Sequence, residues 1–181
     1  SRGTADLAIV QLAKGLRRLL KGFDHAEIVK DRLVAIVPNG HELSGRSSVT
    51  LRDIARYPLI LSEENLELNE FLKEIFKIHR VRSIDVKLRF ENVDAIITSV
   101  SQGSGISIIS EIMARKAESS SLVKVIDLKI QEAEVPIYMV RRFGVSEAAL
   151  KHFWDYVLRI TEKFGGNLPC VLRLIASSRS V

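Results

Sequence analysis

Two rhythms of apolar residues run through the chain. Short unbroken runs, of the kind buried in sheets, occur at Leu7-Ala8-Ile9-Val10 after Asp6, at Leu33-Val34-Ala35-Ile36-Val37, at Pro58-Leu59-Ile60-Leu61 and at Ile106-Ser107-Ile108-Ile109. Two more follow, Leu122-Val123-Lys124-Val125-Ile126 and Val135-Pro136-Ile137-Tyr138-Met139-Val140, and Val86-Lys87-Leu88-Arg89-Phe90 alternates as a strand does. Elsewhere apolar residues return every three or four positions. Leu68, Leu72, Ile75 and Phe76 form one such face; Val93, Ile96, Ile97 and Val100 form another. The longest is Leu150, Phe153, Trp154, Val157, Ile160 and Phe164, on a helix expected from Glu147 to Phe164. Val49 to Ile54 reads as a brief helical entry and Glu111 to Lys116 as a short helix. Strands alternating with helices predict an α/β fold with a mainly parallel sheet.

The ends of these elements are marked as well. Thr50, Asn92 and Ser146 stand where N-caps belong, each with a side-chain oxygen for a free first-turn amide. Glu63, Glu64 and Glu67 gather at the start of the second helix and favour it through its dipole. Gly103-Ser104-Gly105 has the look of a phosphate loop, but its order is reversed. Phosphate-cradling glycines follow a strand and precede a helix, so that the helix N-terminus faces the anion. Here they follow a helix, whose C-terminal end repels anions. Gly103 is therefore read as a helix stop and Gly105 as a turn into the next strand. The other end of that helix is the chemically open one: Asn92 either caps the free amides or leaves them to a small ligand's anionic group.

Composition narrows the class. With 181 residues, 46% of them hydrophobic, the chain can bury the core of one domain or two small ones. No apolar stretch reaches the roughly 18 residues of a membrane span, and no leader pattern is visible. A single cysteine, Cys170, excludes an internal disulfide and a cysteine-paired zinc site, and is compatible with a reducing compartment. The net charge of +5 is concentrated partly in residues 14–21, where Leu16, Leu19 and Leu20 look like packing positions and no aromatic is interleaved. That segment is read as a solvated basic face. His25, His41, His79 and His152 fit no metal-ligand or nucleophile-relay spacing, which argues against catalysis.

Ligands of α/β folds lie beyond the carboxyl ends of strands. Gln11 after Val10, Ser62 after Leu61 and Asn92 beyond Phe90 all place polar side chains there. Four stretches, in order across residues 3 to 164, then carry a family likeness. They are Gly3-Thr4-Ala5-Asp6-Leu7-Ala8-Ile9; Asp31-Arg32-Leu33-Val34-Ala35-Ile36-Val37-Pro38 followed by His41-Glu42-Leu43; Val49-Thr50-Leu51-Arg52-Asp53-Ile54 with Pro58-Leu59-Ile60; and Val100-x-x-Gly103-x-Gly105-Ile106-x-Ile108-Ile109. Together they resemble the effector-binding domain of LysR-type transcriptional regulators. Glu42 departs from the family's pattern, which has proline there.

The resemblance implies a two-lobed, type II periplasmic-binding-protein-like α/β fold with mixed, mainly parallel sheets and a small molecule held between the lobes. Residues 1–28 and 142–165 would form part of the first lobe, 29–141 the second, and 166–181 an unassigned tail. The first lobe is expected to be incomplete, because the family's opening strand and helix are not among these residues. Carried over by resemblance, Asn92, Val93, Ser62 and Gln11 would bind the effector, expected to be a small carboxylate metabolite. No catalytic residue, metal or cofactor is implied. DNA would be reached only through an upstream winged helix-turn-helix outside these residues, in a cytoplasmic homodimer or tetramer without membrane association. The competing readings are a transporter's solute-binding protein and an enzyme on the same scaffold.

Overall fold

The computed structural model describes residues 6–12, 18–63, 66–143 and 148–163. The strands are β1 (Leu7–Gln11), β2 (Phe23–Val37), β3 (Ser48–Val49), β4 (Leu59–Ser62), β5 (Val86–Phe90), β6 (Ile106–Ser110), β7 (Lys124–Leu128) and β8 (Glu134–Arg142). The helices are α1 (Leu51–Ile54), α2 (Leu66–Ile78), α3 (Val93–Ser101), α4 (Glu111–Ser119) and α5 (Ala148–Lys163). Packing divides the chain into two compact units, residues 1–31 with 134–181 and residues 32–133.

The second unit is built on a mixed sheet. β4 pairs in parallel with β5 and β6, β6 pairs antiparallel with β2, β2 antiparallel with β7, and β7 in parallel with β3. β2 is thus the one strand opposed to the rest, and the others share a direction, so β4, β5 and β6 end on the same edge. Val34, Ile36 and Ile60 from the sheet pack against Ile96, Ile97 and Val100 of α3, with Ala114 and Ala117 of α4 completing the cluster. Each large apolar side chain buried there stabilises by roughly 1.5–3 kcal/mol before the entropic cost.

α3 follows its sequence pattern closely. Asn92 is extended (φ −129°, ψ 155°) and its Oδ1 accepts from the Ala95 amide at 2.8 Å. At the far end Gly103 takes φ +79°, and the amides of Gly103 and Ser104 return to Val100 and Ser99. Such a left-handed stop suits glycine. Gly105 has a different reason from the turn expected of it. A Cβ there would meet the Pro58 carbonyl oxygen at 2.6 Å, so glycine is what lets β6 lie against the start of β4. Thr50 caps α1 in a complete capping box with Asp53, as its position suggested. Glu42, which replaces the expected proline, accepts a hydrogen bond from Tyr57, and His41 meets the same ring edge-on.

In the first unit β1 pairs antiparallel with β8, Ile9 opposite Met139, and β8 neighbours β2. Trp154 and Val157 of α5 close over Ile28 and Met139. Arg141 is clasped there, donating to Asp24 at 3.1 Å and stacking 4.5 Å from the Trp154 ring. Because β8 pairs with β1, the second unit ends at 133 and not at 141, where the sequence reading had placed the boundary. Leu19 is exposed, contrary to its reading as a packing residue, while Leu20 is buried. Ser146, Gly165, Gly166 and Cys170 lie outside the described residues.

Candidate functional site

Two of the polar strand ends come together. Ser62 closes β4 directly opposite Phe90 of β5, and the Glu63 amide donates to the Phe90 carbonyl at 2.8 Å. The chain then needs only Glu91 and Asn92 to enter α3. Ser62, half-buried, and Asn92, exposed, therefore share one edge of the second unit's sheet. Asn92 does cap α3, but its side chain uses only the Ala95 amide. The amides of Val93 and Asp94 have no intrahelical acceptor, as at the start of any helix, and they carry the positive end of its dipole. The side chain of Val93 is half-buried against the Ile96 cluster. Glu63, Glu91 and Asp94 are exposed around this edge and oppose a multiply charged anion.

Asn69 is the residue that sequence reading missed. It is 6% exposed, on the first turns of α2, and its Nδ2 donates to the Ser62 carbonyl at 2.7 Å. That bond fixes the amide's orientation, because the reversed group would set two carbonyl oxygens against each other. Among the described residues the buried Asn69 Oδ1 has no partner. Through its bond to the Ser62 carbonyl, Asn69 holds the end of β4 in place. A signal for it existed: Asn69 falls on the apolar stripe of α2, three residues before Leu72 and seven before Phe76.

Gln11 ends β1 in the first unit, and its side chain lies outside the described set. The remaining sequence candidates are engaged elsewhere. Asp24 is committed to Arg141 and not to its neighbour His25, whose Nδ1 donates to the Phe23 carbonyl at 3.1 Å. His79 lies 3.3 Å from Glu132, and the His152 Nδ1 donates to the Ala148 carbonyl. Among the described residues no His, Cys, Asp and Glu cluster could hold a metal, and no helix is long and apolar enough to cross a membrane.

The neighbouring strand end is closed. Beyond β6, Glu111 opens α4 and accepts from the Arg32 Nε at 2.5 Å; Arg32 also reaches Asp127 at 2.9 Å, and Arg115 bridges Glu111 and Glu118. The Arg32 hydrogen bond, reinforced by Arg115, holds the Glu111 carboxyl below the usual range. Burial pushes Glu118 up, but the Val125 amide, Arg115 and Lys124 outweigh it and leave that carboxyl low as well. Ser110, at the N-cap, makes no side-chain capping bond to α4.

Comparison with known proteins agrees with this architecture. The family described as LysR substrate binding domain matches residues 1–161. An HTH-type transcriptional regulator of Methanocaldococcus jannaschii, MJ0300, is 34% identical over 161 residues, 87% of this chain and 53% of that protein. The regulator SsuR of Burkholderia cenocepacia is 28% identical over 134 residues, covering 74% of this chain and 41% of its own length. The chain thus spans about half the length of these curated relatives. Among solved structures, the effector-binding domain of QuiR in complex with shikimate aligns with a TM-score of 0.74 at 24% identity, over 87% of this chain and 72% of that one. The Synechocystis CcmR regulatory domain in complex with 2-PG gives 0.76 at 21%, over 87% and 74%. These likenesses support the two-lobed, type II periplasmic-binding-protein-like α/β fold. On the match across residues 1–161, the chain belongs to the LysR substrate-binding domain family.

Proposed function

We propose that this chain is the effector-sensing domain of a LysR-type transcriptional regulator, and that it binds a small metabolite without transforming it. The carrying observation is the paired end of β4 and β5, which brings Ser62 onto the same edge as the first-turn amides of Val93 and Asp94. The α3 N-terminus favours an anionic group, and the surrounding Glu63, Glu91 and Asp94 limit that group to a single charge. A small monocarboxylate meets both conditions. Solved relatives of the same fold carry shikimate and 2-PG, which supports a small polar effector here. Ser62, Asn92, the Val93 amide and Gln11 are the proposed contacts. DNA contact would belong to another segment of a longer, cytoplasmic, dimeric or tetrameric protein. The effector shifts the regulator's state only by its differential affinity for the two states.

A thermal-shift screen of small carboxylates tests this reading. At least one should raise the melting temperature of the chain, and the rise should vanish in Asn92→Ala. Asn92→Asp keeps a good N-cap but adds a negative charge, so it should remain as stable as wild type and still lose the ligand-induced rise. Equal stabilisation of all three proteins removes Asn92 from the site. Mass spectrometry should recover the ligand unchanged; turnover would contradict the non-catalytic reading.

A further inference from the structure

The opposite end of α2 carries a second concavity. The helix closes with the Arg80 amide returning to Lys77 and the Val81 amide to Phe76, and the chain then runs without regular secondary structure to β5. A groove of about 560 Å³ lies along this turn, within the range of small-ligand pockets. Its floor is apolar: Phe76 is 3% exposed, and Val81 and Ile84 are half-buried beside it. Its rim is cationic, formed by Lys77, Arg80 and Arg82, all exposed.

These three cations differ from their neighbours. Lys73, one turn earlier, is neutralised by Glu70 at 2.6 Å, and His79 faces Glu132. Among the described residues no carboxylate lies within ion-pair distance of Lys77, Arg80 or Arg82, and the nearby Glu74 and Asp85 pair with none of them. Complementing the helix dipole accounts for Lys77, which is in the last turn. It does not account for Arg82, four residues past the end of the helix, because the dipole's influence fades within that turn. Arg80 holds φ +57°, a conformation in which glycine is unstrained, yet a long cationic side chain stands there.

We propose that this groove is a second ligand site, for an organic anion with an apolar body, its carboxylate or phosphate held by the Arg80 and Arg82 guanidinium groups over Phe76. Guanidinium groups match either oxyanion in a two-point geometry. The apolar floor distinguishes such a ligand from a nucleic-acid backbone, which would leave the floor unused.

Phenyl phosphate is the probe, titrated into the 15N-labelled 181-residue chain. Saturable shifts are expected in the amides of residues 76–84, with methyl phosphate and phenol each binding about tenfold more weakly or worse. The double variant Arg80→Gly/Arg82→Gln should lose about tenfold or more in affinity. Its melting temperature should not fall, because glycine relieves the left-handed position, so lost binding cannot be assigned to unfolding. Asn92→Ala should bind the probe as wild type does. Absent shifts at 76–84, equal binding of methyl and phenyl phosphate, or weakened binding in Asn92→Ala would each overturn the proposal. So would displacement of the probe by duplex DNA with a steep salt dependence, which would make the groove a polyanion surface.

Discussion

The β4–β5 edge and the β6 edge of the second unit's sheet obey the same topology and are chemically opposite. Both sit where parallel strands end and helices begin, the general location for ligands. At the first, Asn92 caps α3 through one neutral bond and the next two amides have no intrahelical acceptor. At the second, Arg32, Glu111, Arg115 and Asp127 lock the entry to α4 in charge pairs. Strand topology therefore nominates several sites, and the disposition of charge selects among them. An end already satisfied by its own ion pairs has little to offer a ligand.

The largest effect should come from disturbing what both ends share. Gly105→Ala forces a Cβ against the Pro58 carbonyl, where the β4 backbone cannot yield cheaply, so a loss of about 2–3 kcal/mol is expected in urea denaturation. Breaking the ends separately should sharpen the contrast. Asn92→Ala should cost about 1 kcal/mol as a lost cap, by an amount independent of pH. Arg32→Ala should cost up to about 1 kcal/mol at neutral pH, after discounting for its exposure. That second deficit depends on acid. Glu111 has a folded value depressed below its ordinary 4.5, so its pairing stabilises above the unfolded value and is lost as pH falls through the lower folded one. The gap between wild type and Arg32→Ala should therefore close as pH drops below about 4.5, while the Asn92→Ala gap persists. The smallest change should be a gain. Ser121 ends α4 at φ +54°, with its amide bonded to Glu118 and that of Leu122 to Ala117. Ser121→Gly should stabilise by about 0.5–1 kcal/mol in the same assay.

The two ends were also unequally legible. α3, its Asn92 cap and its Gly103 stop are local features, and their spacing places them within the chain before any contact is known. Ser62 and Asn92 could each be nominated as strand ends, but their adjacency depends on the pairing of β4 with β5, which joins residues nearly 30 apart in sequence. Arg32 is invisible to local pattern, because its partners stand 79 and 95 positions away. The first half of β2 was hidden for a related reason. His25, Glu27, Lys30 and Asp31 interrupt its apolar residues, and only Ile28 and Val29 there are buried apolar side chains. β7 was read two residues too early because Leu122 looks like strand core; it is 46% exposed and belongs to the turn that ends α4.

The most direct measurement is an amide map of effector binding. With a carboxylate that stabilises the chain, nitrogen–proton spectra should show saturable shifts at residues 62–63 and 91–95 and none at 110–115. Shifts centred on 110–115, with 62 and 92 silent, would contradict the claim that open amides, and not topology alone, choose the site.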